Sequence, residues 1–353
     1  MSSNITYWSS YVAARVFHVL KQDGEDANLQ RFVPWLDRLG QLCIMSEADK
    51  SLDEMIGRLS GGLELAFLQS MASSAKTSYG LLRMLAPVFM QVAFADPTLW
   101  PDDPSSSGIS LAHALASPQF ELGRFILTDT IISLTFGTPP LIEYDVSHPL
   151  VQTNGEHPME WLHGCPAQFM FSIVRINRWR AQYPNKCTER DAPWKEISDD
   201  TWAWHSSCAY KPSSESSRII TRFAAQEGWR HALLIYLYMG MCSSTSHDSR
   251  VQFSVQQIVS LHRIPKTHFA TGLHLMVPLL LHSKAAICAR AEVDRHELRS
   301  AIAQSCHNKT SLLRGPEFVS VLDHLWHGLA ANGGPITWSC YIESRRAMLN
   351  IGV

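Results

Sequence analysis

From residue 232 to 242 the chain reads ALLIYLYMGMC, a run without a charge, preceded by Trp229 and Arg230 and followed by the serine-rich SSTS. As a helix that run is about 16 Å long against the ~30 Å of hydrocarbon in a bilayer, so it cannot span a membrane. Upstream, Glu215, Arg218, Arg222, Gln226 and Arg230 recur at steps of three and four and predict one wetted face of the same helix. At the next two steps stand Leu234 and Tyr238. The pattern therefore predicts a helix that is amphipathic in its first half and apolar all round in its second. Such a helix enters a core, where burying each of Leu233, Leu234, Ile235 and Leu237 contributes roughly 1.5–3 kcal/mol before entropy is counted.

Helical spacing dominates the rest. Leu52, Met55, Ile56, Leu59, Leu63, Ala66 and Phe67 predict an amphipathic helix over 51–68, and Leu81, Leu82, Leu85, Val88 and Phe89 another over 78–92. After the loop DPTLWPDDPSSSG, Ser117 and Pro118 read as cap and first-turn proline of a helix whose stretch 122–136 carries only Arg124 and Asp129 as charges. Gly137 and Pro139-Pro140 end it. Cys165-Pro166 opens a helix with Phe169, Ile173 and Ile176 on one stripe, and 184–214 is a polar loop anchored by Trp194, Trp202 and Trp204. Val251, Val255, Ile258 and Val259 make a further helix; others follow over 273–287, kinked or started by Pro278, over 318–329 and over 341–349. Nothing alternates at period two, and no fixed-period repeat supports a solenoid. The expected fold is all-α, a single large irregular bundle of about ten to twelve helices, with 1–30 as an N-terminal extension and 31–353 as the domain.

Composition narrows the function classes. In 353 residues, 46% are hydrophobic and 18% charged, which is globular rather than disordered composition. Lys+Arg is 30 against Asp+Glu 32, a formal net charge of −2 with no basic run, so direct DNA binding by this chain is disfavoured. The eight cysteines, Cys43, Cys165, Cys187, Cys208, Cys242, Cys288, Cys306 and Cys340, show no C-x2-C spacing. They read as reduced thiols, most in the core, with neither a structural zinc site nor a disulfide framework. Arg15 and His18 interrupt the one apolar patch of the N-terminus, unlike a secretory signal, so an intracellular chain is expected. The first acid is Asp23, which leaves a mitochondrial presequence as the alternative. The sequons at Asn4 and Asn308 are then chance matches.

Catalytic motifs are absent: no G-x-S-x-G, H-E-x-x-H, G-x-x-x-x-G-K or G-x-G-x-x-G occurs. His324 and His327 stand at a spacing that could place two imidazoles on one metal, but no third ligand is evident, and a partly exposed polar face is the better reading. His163 and Cys165 could pair as base and nucleophile, although residues two apart need not face each other, and a thiol at a helix start packs equally well. Asp102-Asp103, between prolines, reads as a turn. No catalytic, cofactor or metal residue is assigned. Tyr and Met fill ordinary cores, and plain packing is the first reading of 233–241; the alternative is that the segment borders a largely apolar cavity for a small hydrophobic effector, with Tyr236, Tyr238 and Met239 as candidate ligand-binding residues, because hydroxyls and pliable thioethers suit a pocket.

Four stretches carry a resemblance: SPQFELGRFILTDTIISLTFGTPPLIEYD (117–145), EGWRHALLIYLYMGMCSSTSHDSRVQFSVQQIV (227–259), VPLLLHSKAAICARAEVDRHELR (277–299) and WSCYIESRRAMLNI (338–351). They resemble the fungal-specific transcription factor domain, the helical regulatory domain usually found C-terminal to a fungal binuclear zinc cluster, collinearly from about residue 30. The resemblance implies a nuclear, all-helical regulatory module that senses small molecules or mediates contacts with other transcription factors, coactivators or a second copy in a homodimer. The family's zinc cluster needs C-x2-C-x6-C twice, and here Cys43 is the first cysteine and stands alone. DNA is therefore expected to be reached through a zinc cluster encoded upstream of Met1 or through a partner, unless that module was lost. A helical enzyme with an unrecognised site would instead show polar groups with perturbed pKa values converging in a cavity. A plain scaffold would show a broad exposed apolar patch and no cavity.

Overall fold

Ser51 sets an element boundary: its hydroxyl accepts the Glu54 backbone N–H at 3.3 Å and caps a helix over Leu52–Ala72. Ser74 caps the next, Ala75–Phe94, through the Thr77 N–H at 3.1 Å. These belong to a computed structural model that describes residues 4–22, 29–45, 51–101, 108–149, 160, 164–183, 193–206, 216–263, 284–304 and 314–351. In chain order the helices are α1 (Asn4–Gln22), α2 (Val33–Ile44), α3 (Leu52–Ala72), α4 (Ala75–Phe94), the short α5 (Leu111–Ala116), α6 (Phe120–Phe136), α7 (Ala167–Gln182), α8 (Trp194–Ala203), α9 (Ser216–Met241), α10 (Ser249–His262), α11 (Glu292–Gln304), α12 (Gly315–His324) and α13 (Trp338–Leu349). A helical turn also covers 284–288. Among the described residues the only strands are β1 (Ile109–Ser110) and β2 (Tyr144–Asp145), one short parallel pair. The all-α expectation holds, with twelve helices of seven residues or more among the described residues.

By contacts the chain divides into a unit of Met1–Ile132, Pro140–Val151 and Lys309–Arg314 and a unit of Ser133–Pro139, Gln152–Asn308 and Gly315–Val353. In the first, α3 and α4 form a hairpin that packs tightly because Gly62 has no side chain; a Cβ there would stand 2.4 Å from Leu85 Cδ2. Helix α1 lies on α3, with Thr6 Oγ1 donating to the Gly57 carbonyl at 3.1 Å, and Gln69 Nε2 ties α3 to Asp37 of α2 at 3.1 Å. The buried Phe89 ring stacks on Phe125 of α6 at 4.3 Å. Deeper still, the fully buried Asp129 carboxylate accepts the backbone N–H groups of Leu141 and Ile142 and the Tyr144 hydroxyl, the last at 2.8 Å. That one acid anchors the loop that follows α6.

In the second unit α9 packs against α7, α8 and α10. Its residues from Ala232 to Met241, and Cys242 just after it, are all buried, as the uncharged run predicted. The wetted face predicted for its first half is not wetted where it is described. Gln226 is buried, donating to Glu160 Oε1 at 3.1 Å; Arg222 approaches the same carboxylate at 3.9 Å, and Arg230 donates to the Trp204 carbonyl at 2.7 Å. The stripe is polar because it meets a buried acid and a carbonyl, while Ile220 and Phe223 of the same helix face water.

A second difference lies at the start of α6. Ser117 and Pro118 are not its cap and first turn: the Ser117 hydroxyl accepts the Gln119 N–H at 3.2 Å in a local turn after α5, and the helix begins at Phe120. Its end is as expected, with Gly137 in the left-handed region at φ 62 and donating to the Ser133 carbonyl at 2.9 Å. Within 184–214, residues Trp194–Ala203 form α8. Of the expected helix over 273–287, only the turn from residue 284 lies inside the described residues, and the 318–329 stretch appears as α12 followed by a π turn over Leu325–Leu329.

Candidate functional site

A helix leaves its last four carbonyls without intrahelical partners, and at the end of α6 two of them are met by side chains from far along the chain. Lys284 Nζ donates to the Leu134 carbonyl at 2.7 Å, and the Tyr341 hydroxyl donates to that of Thr135. Lys284 is completely buried. Its ammonium nitrogen sits 4.5 Å from the Trp338 ring centroid, 5.2 Å from Tyr341 and 5.8 Å from Tyr236. Arg180, half-buried at the end of α7, lies over two of the same rings, 4.9 Å from Trp338 and 5.7 Å from Tyr236. It also donates weakly to the Gly240 carbonyl at 3.4 Å. A Cβ on Gly240 would stand 3.2 Å from Arg180 Nη1, so the glycine leaves the guanidinium its place.

Burial pushes the Lys284 amine well below the ordinary lysine range, and the Arg180 charge pushes the same way. Each ring face contributes ~0.5–2 kcal/mol to a cation, against several kcal/mol for taking an ammonium out of water, so the rings offset only part of the cost. Burial also pushes the Tyr236 and Tyr341 hydroxyls up and the Cys288 thiol up to about 12, leaving all three neutral at physiological pH.

The three residues predicted from sequence to bind a ligand are buried, at 1%, 4% and 2% exposure for Tyr236, Tyr238 and Met239, and they point different ways. The Tyr236 hydroxyl donates to Asn177 Oδ1 at 2.6 Å and its ring belongs to the Lys284 cluster. Met239 accepts from Cys288 Sγ at 2.8 Å, one turn from Lys284. Tyr238 faces elsewhere, with its hydroxyl 3.3 Å from Ser198 Oγ and the Arg250 guanidinium 4.7 Å from its ring. Sequence reading missed Lys284, Arg180, Asn177, Trp338 and Tyr341. One signal was available: Lys284 is the only Lys or Arg in the mostly apolar VPLLLHSKAAIC.

The other candidate chemistry disperses. Asp102, Asp103 and His163 lie outside the described residues. Burial, with Glu160 nearby, raises Cys165 well above an ordinary thiol, the opposite of an activated nucleophile. His324 Nδ1 is engaged by Ser344 Oγ at 3.1 Å. Among the described residues no three His, Cys, Asp or Glu side chains stand close enough to hold a metal ion, and no helix is long and apolar enough to cross a membrane. The described cysteines Cys43, Cys165, Cys242, Cys288 and Cys340 are free thiols, all but Cys340 buried.

His231 on α9 gives the second unit a pH signature. It packs between Trp202 and Phe253, its Nδ1 is 3.3 Å from Ser254 Oγ, and burial, aided by Arg230, pushes its imidazole down to about 4. The unfolded chain takes up this proton near pH 6.5 and the folded one only near 4, so stability is full above 6.5 and falls as pH drops through that window. Urea titrations at pH 7 and pH 5 are expected to differ by roughly 2 kcal/mol more in the wild type than in His231→Phe. Equal differences would show that the imidazole titrates normally.

Gly137, Tyr236, Lys284, and Trp338 with Tyr341 come one each from the four stretches of distinctive sequence, and they meet around the end of α6; a Cβ on Gly137 would stand 3.3 Å from the Trp338 indole. The distinctive segments of this all-α chain thus converge on one buried lysine and the aromatic rings around it. The family profile described as the fungal specific transcription factor domain matches residues 103–351, more than half of the chain. The chain belongs to that family, which is a transcription-regulatory family and not a family of enzymes. No curated protein and no solved structure matches it.

Proposed function

We propose that this chain is the regulatory module of a fungal zinc-cluster-type transcription factor, acting in the nucleus by effector sensing and protein contacts rather than by holding DNA itself. Other transcription factors, coactivators or a second copy are its partners, and DNA is reached through a zinc cluster or a partner. The family match over 103–351 carries this reading. The effector site is placed along 233–241, with Tyr236 and Met239 on the side of Lys284, and the domain is taken to run from residue 31 to 353.

Fusing the chain to a heterologous DNA-binding domain in a fungal reporter strain tests it. Reporter output is expected to change several-fold relative to the DNA-binding domain alone, while the unfused chain, with its net charge of −2, shows no nanomolar DNA site at physiological salt. A reporter indistinguishable from the control would overturn the regulatory role, and a tight, steeply salt-dependent site would overturn the indirect route to DNA.

A helical enzyme using Lys284 as an amine is the second reading, favoured by the perturbed amine. Against it, the group is wholly buried, and among the described residues no carboxylate stands by it to move a proton.

A further inference from the structure

Arg180 and Lys284 bring a guanidinium and an amine to the same two rings, and among the described residues neither has a carboxylate partner. Beside them, Asn177 is only 4% exposed; its Oδ1 is taken by the Tyr236 hydroxyl and its Nδ2 has no acceptor. A guanidinium, a sealed amine and an idle amide donor all present N–H groups and lack one thing in common, an anion. We propose that Arg180, Lys284 and Asn177 receive the carboxylate of a small organic acid whose apolar body packs among Trp338, Tyr236 and Met239. This deepens, and rests on, the effector-sensing reading above.

The surroundings select the class. Trp338, Tyr341, Met239 and Cys288 offer aromatic and sulfur surface, which suits an apolar acid and disfavours a strongly hydrated inorganic anion. Arg180, half-buried where Lys284 is sealed, is the group an incoming acid meets first. The titratable and charged groups around the amine are Arg180, Tyr236, Tyr341 and Cys288, and burial holds the two tyrosines and the thiol neutral. Burial holds the Lys284 amine well below the ordinary lysine range, which favours its uncharged form. A bound carboxylate favours the charged amine and therefore draws a proton onto it.

The probes are benzoate, phenylacetate and octanoate, their uncharged amides, and inorganic phosphate, added to the full chain and read by thermal shift and calorimetry. The acids are expected to raise the unfolding midpoint and the amides and phosphate to leave it in place. Calorimetry in two buffers of different ionisation enthalpy should show proton uptake. Arg180→Gln is expected to weaken the acids by about tenfold or more, the loss of a charge-assisted contact, with the helical spectrum intact. Gly240→Ala, whose Cβ would crowd the guanidinium, should do so in the same direction, and Lys284→Met should abolish binding and proton uptake together. Equal shifts from acids and amides, or acid affinities unchanged in Arg180→Gln and Gly240→Ala, would overturn the site, and phosphate binding as tightly as the acids would overturn its assignment to organic acids. Binding is read on the purified chain and regulation in the reporter strain, so the failure of either is seen separately from the other.

Discussion

Trp338→Ala is expected to destabilise the second unit by ~3–5 kcal/mol, the range for deleting a large buried aromatic ring. The indole is 95% buried by its 5% exposure, packs 5.0 Å from the Tyr236 ring and 5.1 Å from Tyr341, and covers Lys284 and Arg180. Its removal leaves a cavity and strips both cations of a ring they share. Trp338→Phe keeps a ring face and should cost less, which separates the cage from bulk packing. Urea unfolding followed by far-UV circular dichroism reads both; a loss below ~1 kcal/mol in the alanine variant would mean that the cage does not hold this core together.

Asp129→Ala should cost the first unit about as much, ~3–5 kcal/mol, for a different reason. The Leu141 and Ile142 N–H groups and the Tyr144 hydroxyl would lose a charged acceptor, and buried donors without acceptors are costly. Asp129→Asn retains one acceptor oxygen and should be milder. Burial lifts the Asp129 carboxyl to about 6, although its hydrogen bonds to Leu141, Tyr144 and Ile142 pull it down. The folded state thus holds this proton where the unfolded chain has lost it, so the contribution to stability falls as pH rises from about 4 to about 6 and is flat above. In Asp129→Asn that slope should vanish, and its survival there would place the titration on another group.

Helices were legible because burial on one face imposes a 3.6-residue period that sequence displays directly; Leu59, Leu63 and Ala66 of α3 are buried as that period required. Gly137 followed by Pro139 and Pro140 was legible for a similarly local reason, since a left-handed residue and two imino acids can stop a helix unaided. The inward turn of Gln226 and Arg230 was not, because periodicity records that a residue is polar and not what stands opposite, and Glu160 lies 66 residues from Gln226. The same limit hid the site. Lys284 caps a carbonyl 150 residues away, and Tyr341 one 206 residues away, so neither role has a local signature. Tyr236, Tyr238 and Met239 stood out because their run is more aromatic and sulfur-rich than plain aliphatic packing; the Tyr236 ring lies by Lys284 and Met239 by Cys288, whereas Tyr238 faces Ser198 and Arg250.

Lys284 is a sealed amine without a carboxylate partner among the described residues. The most direct test is the protonation of that one amine, followed by NMR on chain carrying 13C at the lysine ε-carbon, with the Lys284 resonance assigned by its disappearance in Lys284→Met. The resonance is expected to titrate well below the ordinary lysine range and to move back toward it when benzoate is added. A Lys284 that titrates like a solvated lysine, with or without benzoate, would contradict the account.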